Sequence, residues 1–229
     1  MAYSSFLAGG FELLKELKRR TAIRSNVKWA IRQIRKTRFG IEVFRNRYLD
    51  LKYGGDCSGT TLSRHSDLGA NNVQSSYYAI LSSIFSKIPI TEADVLVDVG
   101  CGKGRVINYW LSLGCRNRMI GIELDEEVAL EASSRLKPYP NVTIISGNAL
   151  DNIPHNGTIF YLFNPFGAHI WEQFKRRLID LFGEKRNIVL ICTNCVHIDV
   201  FENDPRWKVQ HLARLSSGPA AIVRMANAE

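Results

Sequence analysis

From residue 94 onward, short apolar runs alternate with segments whose apolar residues recur every three or four positions. The runs Val95–Val99, 119–123, Val142–Ser146, 158–163 and 188–192 predict strands. The fourth is almost wholly apolar, which suits a strand covered on both faces. Between them, residues 106–113, 126–136 and 170–182 predict helices. Asp125 is placed to cap the second, with Val128, Ala129, Ala132 and Leu136 along one side. The third turns Ile170, Trp171, Phe174, Leu178 and Phe182 inward. Residues 207–215 and Ala220–Met225 flank Ser216-Ser-Gly-Pro219 and predict a closing antiparallel hairpin.

This alternation predicts an α/β fold, a doubly wound and mostly parallel sheet with helices on both faces. Right-handed crossovers place the strand-to-helix turns along one edge, and ligands bind there where strand order switches. The turns to inspect follow Val99, Glu123, Ser146, Phe163 and Cys192.

Upstream, residues 11–38 predict a helical N-terminal extension, with Leu13, Leu14, Leu17, Ile23, Val27, Ala30, Ile31 and Ile34 at helical steps. Gly40 interrupts it. Residues 41–92 read as a transition that contains the turn-rich Tyr53-Gly-Gly-Asp-Cys-Ser-Gly59. A helix over 75–88 follows, ending before Pro89, with Ile80, Leu81, Ile84 and Phe85 as its apolar side. The expected division is an extension over 1–50 and a ligand-binding domain over 51–229.

Composition narrows the class. The chain has 229 residues, 45% apolar and 23% charged, enough for an ordinary globular core without disulfides or metals. Five cysteines at irregular spacing argue for a reducing, cytoplasmic location rather than a disulfide framework. Cys192-x-x-Cys195 ends an apolar run and lacks the second pair that a structural zinc site needs, so no metal is expected. There is no basic, apolar-cored secretory signal and no apolar run of membrane-spanning length.

The formal net charge of +8 sits in residues 11–50, which hold 12 Lys/Arg against 4 Asp/Glu, and the remainder nets zero. Three readings of the basic segment 11–38 stand: a helix packed on the domain with a solvated face, peripheral contact with an anionic membrane, or contact with RNA.

The first turn, Gly100-Cys-Gly-Lys-Gly104, carries the chemistry. Alternate glycines allow positive φ and remove Cβ atoms, so a ligand can approach the backbone. Arg105 stands where a dinucleotide motif needs its third glycine, and the pattern that remains suits S-adenosylmethionine (SAM). Asp98 precedes the turn, where it can bond the cofactor's amino end. Glu123 ends the next strand, where a carboxylate can accept both ribose hydroxyls. In the third turn, Asn148 and the Ala149 N–H can meet the adenine edge, although an acid is more usual there.

Asp98 through Gly104, Glu123, Gly147 through Ala149 and Asn164-Pro-Phe-Gly167 together resemble the four signature motifs of class I SAM-dependent methyltransferases. The resemblance covers residues 94–225. It implies a seven-stranded sheet whose last strand is antiparallel, with Gly100, Cys101, Gly102, Gly104 and Leu124 also at the cofactor. A finer likeness is to uncharacterised bacterial methyltransferases, carried by Gly55-Asp-Cys-Ser-Gly59, Gln74-Ser-Ser-Tyr-Tyr78, Val97-Asp-Val-Gly-Cys-Gly-Lys-Gly-Arg105 and Tyr161-Leu-Phe-Asn-Pro-Phe166. The prolines usual at that helix start are missing. Lysine methyltransferases share a similar turn and upstream segment. By this likeness Ser76 and Tyr78 close over the cofactor's methionine end.

On the acceptor side, Asn164 stands at the tip of the fourth strand facing the expected methyl, and Phe166 walls the acceptor pocket. Nucleobase and glutamine methyltransferases carry a second proline here that this chain lacks, which weakens a flipped-base reading. His197, near Asn194, and His169 are candidate bases. The expected function is methyl transfer to an N or O acceptor on a small molecule or protein side chain, lysine included. The alternatives are an RNA methyltransferase gripping its substrate through the basic arm, and a non-catalytic SAM-binding scaffold.

Overall fold

The structure, a computed structural model, describes residues 40–64, 69–183, 188–213, 215 and 217–226. The expected helix over 11–38 lies outside them. By its internal contacts the chain divides into Met1–Phe44 and Arg45–Glu229, and the architecture below is that of the second unit.

Seven strands form one sheet: β3 (Val95–Val99), β4 (Arg118–Glu123), β5 (Val142–Ser146), β6 (Ile159–Phe163), β7 (Val189–Thr193), β8 (Trp207–His211) and β9 (Ala220–Met225). Their order is β5-β4-β3-β6-β7-β9-β8. β3 through β7 are parallel, and β9 joins β7 antiparallel with β8 antiparallel outside it. The strand order therefore switches between β3 and β6, which pair directly through Leu96↔Ile159 to Val99↔Leu162. The expected class, a doubly wound sheet with an antiparallel end, is the one observed.

Side-chain alternation gives the sheet two cores. Val97, Val99, Phe160 and Leu162 pack towards Trp171, Phe174 and Leu178 of α5 (Ala168–Phe182). Leu96, Ile159, Tyr161 and Met119 pack towards α2 (Tyr78–Phe85) and α3 (Arg105–Ser112), with Trp110 fully buried among them. Each such Leu, Ile or Phe contributes about 1.5–3 kcal/mol by leaving water. Asp98 lies on the second face, beside Tyr161 in the strand register. α4 (Glu126–Leu136) starts as its sequence predicts, with the Asp125 side chain accepting the N–H groups of Glu127 and Val128.

Two upstream expectations need correction. The stretch from residue 41, expected as a transition, begins as a helix, since residues 40–52 are helical (α1). The element is hidden in the sequence because its polarity is inverted. Asn46 and Asp50 are buried, while Tyr48 and Leu51 face solvent. The helix expected over 75–88 is shorter, because the chain stays extended through Tyr77. Residues before it form a small antiparallel ladder between β1 (Thr60–Thr61) and β2 (Val73–Gln74). A short helix, α6 (Asp199–Glu202), precedes β8. No helix among the described residues is long and apolar enough to cross a membrane.

Candidate functional site

The glycine turn follows β3. Gly100, Gly102 and Gly104 all have positive φ, 72°, 51° and 76°, so the alternate glycines answer a backbone need. The Gly100 and Cys101 N–H groups both donate to the Ile122 carbonyl, at 2.8 and 2.9 Å, and Gly104 N–H closes the turn on Cys101 O at 2.8 Å. Cys101 is buried against Gly121, where a Cβ would stand 2.7 Å from its sulfur. α3 then opens with no side-chain cap.

Glu123 is 5% exposed at the end of β4. One carboxylate oxygen accepts Gly102 N–H at 2.7 Å and the other Asp125 N–H at 3.0 Å. A carboxylate has about four acceptor sites, so these two bonds orient the group and leave capacity for hydroxyl donors. Burial raises its pKa. Asp98 is buried more deeply, and its Oδ2 has no hydrogen-bond partner. Burial, then the neighbouring Glu123 carboxylate, push its pKa well above the usual aspartate range.

Beyond β6, Asn164 takes φ 42° between Phe163 and Pro165, and its Oδ1 is also buried without a partner. The upstream segment holds this turn. Asn71 Nδ2 donates to Asn164 O at 2.8 Å and to Phe166 O at 3.2 Å, and Asn71 N–H donates to Pro165 O at 3.1 Å. Gly167 N–H donates to Gly69 O at 2.9 Å.

These turns enclose a cleft at the carboxyl edge of the sheet. Gly100, Glu123, Leu124, Asn148, Ala149 and Phe166, all expected from sequence, line it. Phe166 also packs edge-on against Trp171, with ring centroids 5.6 Å apart. Asn148 is exposed and its Oδ1 accepts Leu150 N–H at 3.0 Å, so its carbonyl oxygen already serves the turn.

Other expected residues sit behind the lining. Ser76 Oγ bonds Tyr161 Oη at 2.7 Å, and Tyr161 Oη bonds Thr193 Oγ1 at 2.8 Å. Tyr78 is fully buried and donates its hydroxyl to Asp50 at 2.9 Å. His197 lies in the turn before α6, and His169 pairs with Gln173 at 2.7 Å; neither lines the cleft. Cys192 and Cys195 are buried and unpaired at the end of β7.

Two contributions were missed in the sequence. Ala70, Asn71, Asn72 and Gln74 form a wall of the cleft, although their segment shows no apolar period. Asp50 pairs with Arg105. A buried arginine demands an acid, but no spacing rule says which one. Among the described residues, no cluster of three or more His, Cys, Asp or Glu side chains could hold a metal.

Comparison with known proteins places this arrangement. Residues 97–162 match a family described as a methyltransferase domain. No curated protein sequence matches the chain. Among solved structures, it is similar to an RNA methyltransferase from Salinibacter ruber in complex with S-adenosyl-L-homocysteine (SAH), at 19% identity over 68% of this chain and 95% of that one, with a TM-score of 0.52. A SAM-dependent methyltransferase from Aquifex aeolicus is similar at 14% identity over 63% and 88%, with a TM-score of 0.50. A B. subtilis tRNA methyltransferase is similar at 16% identity over 64% and 65%, with a TM-score of 0.50.

The residues present fit SAM. An unpaired buried carboxylate at Asp98 suits a cationic ligand, and a pre-oriented Glu123 suits a ribose diol. Ile122, Leu124 and Phe163 offer apolar surface to a purine. With a matched methyltransferase domain over residues 97–162, a seven-stranded sheet that switches order between β3 and β6, and a cleft at that switch, the chain carries a methyltransferase domain and has the fold of class I SAM-dependent methyltransferases.

Proposed function

We propose that the enzyme methylates a nitrogen or oxygen on a small molecule or a protein side chain, lysine included, in the cytoplasm. The observation that carries this reading is the chemistry of the cleft wall. Among the described residues lining it, Glu123 is the one ionisable side chain, and the lining also includes the amides Asn71 and Gln74 and the aromatics Phe163 and Phe166. Such a wall holds a neutral nucleophile away from water, where positioning supplies much of the rate.

SAM supplies an electrophilic methyl group on a sulfonium and leaves as SAH. The chain's own groups bind and orient. Asp98 takes the cationic amino end, with the backbone of Gly100, Cys101, Gly102 and Gly104 around it. Glu123 accepts the ribose hydroxyls. Leu124, Asn148 and Ala149 meet the adenine. Asn164 presents its side-chain carbonyl to the acceptor, and Phe166 closes the pocket. Ser76 acts through Tyr161, and Tyr78 through Asp50, rather than by direct contact. No side chain that titrates near neutrality lines the cleft among the described residues, so an amine acceptor arrives neutral or gives its proton to water, and His197 is not assigned as base.

A second reading, an RNA acceptor gripped by the basic arm, is favoured by the net +8 of residues 11–50. Incubation with methyl-labelled SAM and fractionated lysate separates the two. Label in small molecules or protein supports the first reading, and label confined to RNA replaces it with the second.

A further inference from the structure

We infer that Asp50 is a positioning residue for the cofactor, which makes α1 a working part of the cofactor site and not an appendage to it. The inference rests on the reading that Gly100 through Gly104 hold SAM. Asp50 is fully buried, and its carboxylate gathers four donors from three segments. Arg105 Nε donates to Oδ1 at 3.0 Å and Nη2 to Oδ2 at 2.6 Å. Tyr78 Oη donates at 2.9 Å and Cys57 N–H at 3.2 Å. The Arg105 guanidinium lies 5.8 Å from the Tyr78 ring centroid, and its side chain is 5% exposed.

Arg105 is the first residue of α3 and follows Gly104 directly. Fixing its side chain therefore fixes the exit of the glycine turn. The same cluster grips the turn one residue earlier. Cys57 Sγ donates to Lys103 O at 3.3 Å, and Arg135 bonds both Lys103 O and, at 2.8 Å, Tyr53 O. Glu123 holds Gly102 from the cleft side. The turn is thus clamped on its inner side by a group that lines the cleft and on its outer side by Asp50 and its partners. A second residue of α1 joins in, since Asn46 Oδ1 accepts Tyr78 N–H at 3.0 Å. A buried charge that loses its partner moves or admits water. In this fold, either response displaces the backbone that surrounds the cofactor.

SAH binding to the full-length protein tests this without a known acceptor. Calorimetric titrations compare the unaltered chain with Asp50→Asn, Arg105→Lys and their combination, at a temperature where circular dichroism shows each folded. Lys175→Met is the control. It breaks another largely buried ion pair, Lys175 with Asp204 at 3.6 Å, together with the contact of Lys175 to the exposed Glu172 at 3.1 Å, at a site that does not line the cleft.

Each single variant at Asp50 or Arg105 is expected to weaken SAH about tenfold or more, equivalent to ~1.4 kcal/mol. The double variant is expected to be no weaker than the worse single, because the pair acts as one unit. Lys175→Met is expected to lower the melting temperature and leave SAH affinity unchanged. Unchanged affinity in Asp50→Asn with a lowered melting temperature overturns the inference and leaves the cofactor reading intact. An unaltered protein that does not bind SAH overturns both. Should Asp50→Asn fail to fold, Arg105→Lys decides alone, since it keeps the charge and removes the two-pronged geometry.

Discussion

A Cβ on Gly100 would stand 2.9 Å from Pro165 Cβ, so the turn after β3 and the turn after β6 touch through a glycine that has no side chain to give way. The backbone there has φ 72°, which costs any other L-residue about 1–2 kcal/mol. Gly100→Ala is therefore expected to disturb both turns at once. Calorimetry should show SAH affinity reduced by about tenfold or more, with only a modest loss of melting temperature. Full affinity in Gly100→Ala would mean that the contact is slack.

Asp98 sets stability against binding. Its folded pKa is raised, so the folded state holds a proton that the unfolded state releases near pH 3.9. The stability this gives is full below that pH and is lost as pH rises through the folded value. Asp98→Asn removes the loss. The ligand-free variant should melt above the unaltered protein at pH 8, because it has no carboxyl group to ionise, and the gap should narrow towards pH 4. Its affinity for SAH should fall. Parallel melting curves from pH 4 to 8 would show that Asp98 does not titrate in that range.

Asn71 is exposed, so it can be changed with little cost to the core. Asn71→Asp puts a carboxylate where an amide N–H now meets the carbonyls of Asn164 and Phe166. The expected outcome is a methyl-transfer rate reduced about tenfold to a hundredfold on the acceptor that labelling identifies, with nearly unchanged melting and SAH affinity. A rate equal to that of the unaltered enzyme would show that the Asn164 turn holds itself.

Beside Lys175 of α5, Asp204 is held at about pKa 2, chiefly by its hydrogen bond to Arg206, against the opposing effect of burial. Its folded value lies below the unfolded one, so its stability is present above about pH 3.9 and is lost as pH falls through 2. Asp204→Asn should be less stable at pH 6, with a deficit that shrinks below pH 4. Thermal melts across that range check it, and a constant deficit would assign the effect to packing.

The fold was legible where polarity and period agreed. Val95–Val99, Asp98 apart, and Ile159–Phe163 are apolar because both faces are covered, and Asp125 caps the helix it precedes. The glycine turn was legible for a different reason: three alternate positive-φ residues leave few substitutes. What escaped detection lay where a polar residue faces inward. Asn46 and Asp50 break the apolar period of α1 because their partners, Tyr78 and Arg105, bring the hydrogen bonds that make burial affordable. The wall at Asn71 escaped because amides that bond backbone carbonyls follow no repeat. Tyr78 was expected at the cofactor; its hydroxyl bonds Asp50 and its side chain does not line the cleft, a distinction that motif spacing does not contain.

Asp50 is synthesised 55 residues before the arginine that neutralises it. The chain must bring those two ends together against loop-closure entropy before the carboxylate can leave water. On the ribosome, α1 therefore emerges with its inward face still hydrated, and the glycine turn gains its outer support only when β3 and α3 have followed it out. Binding of the cofactor then reports on assembly of the stretch from Asp50 to Arg105, since the loop that receives it is held by the first described helix to be made.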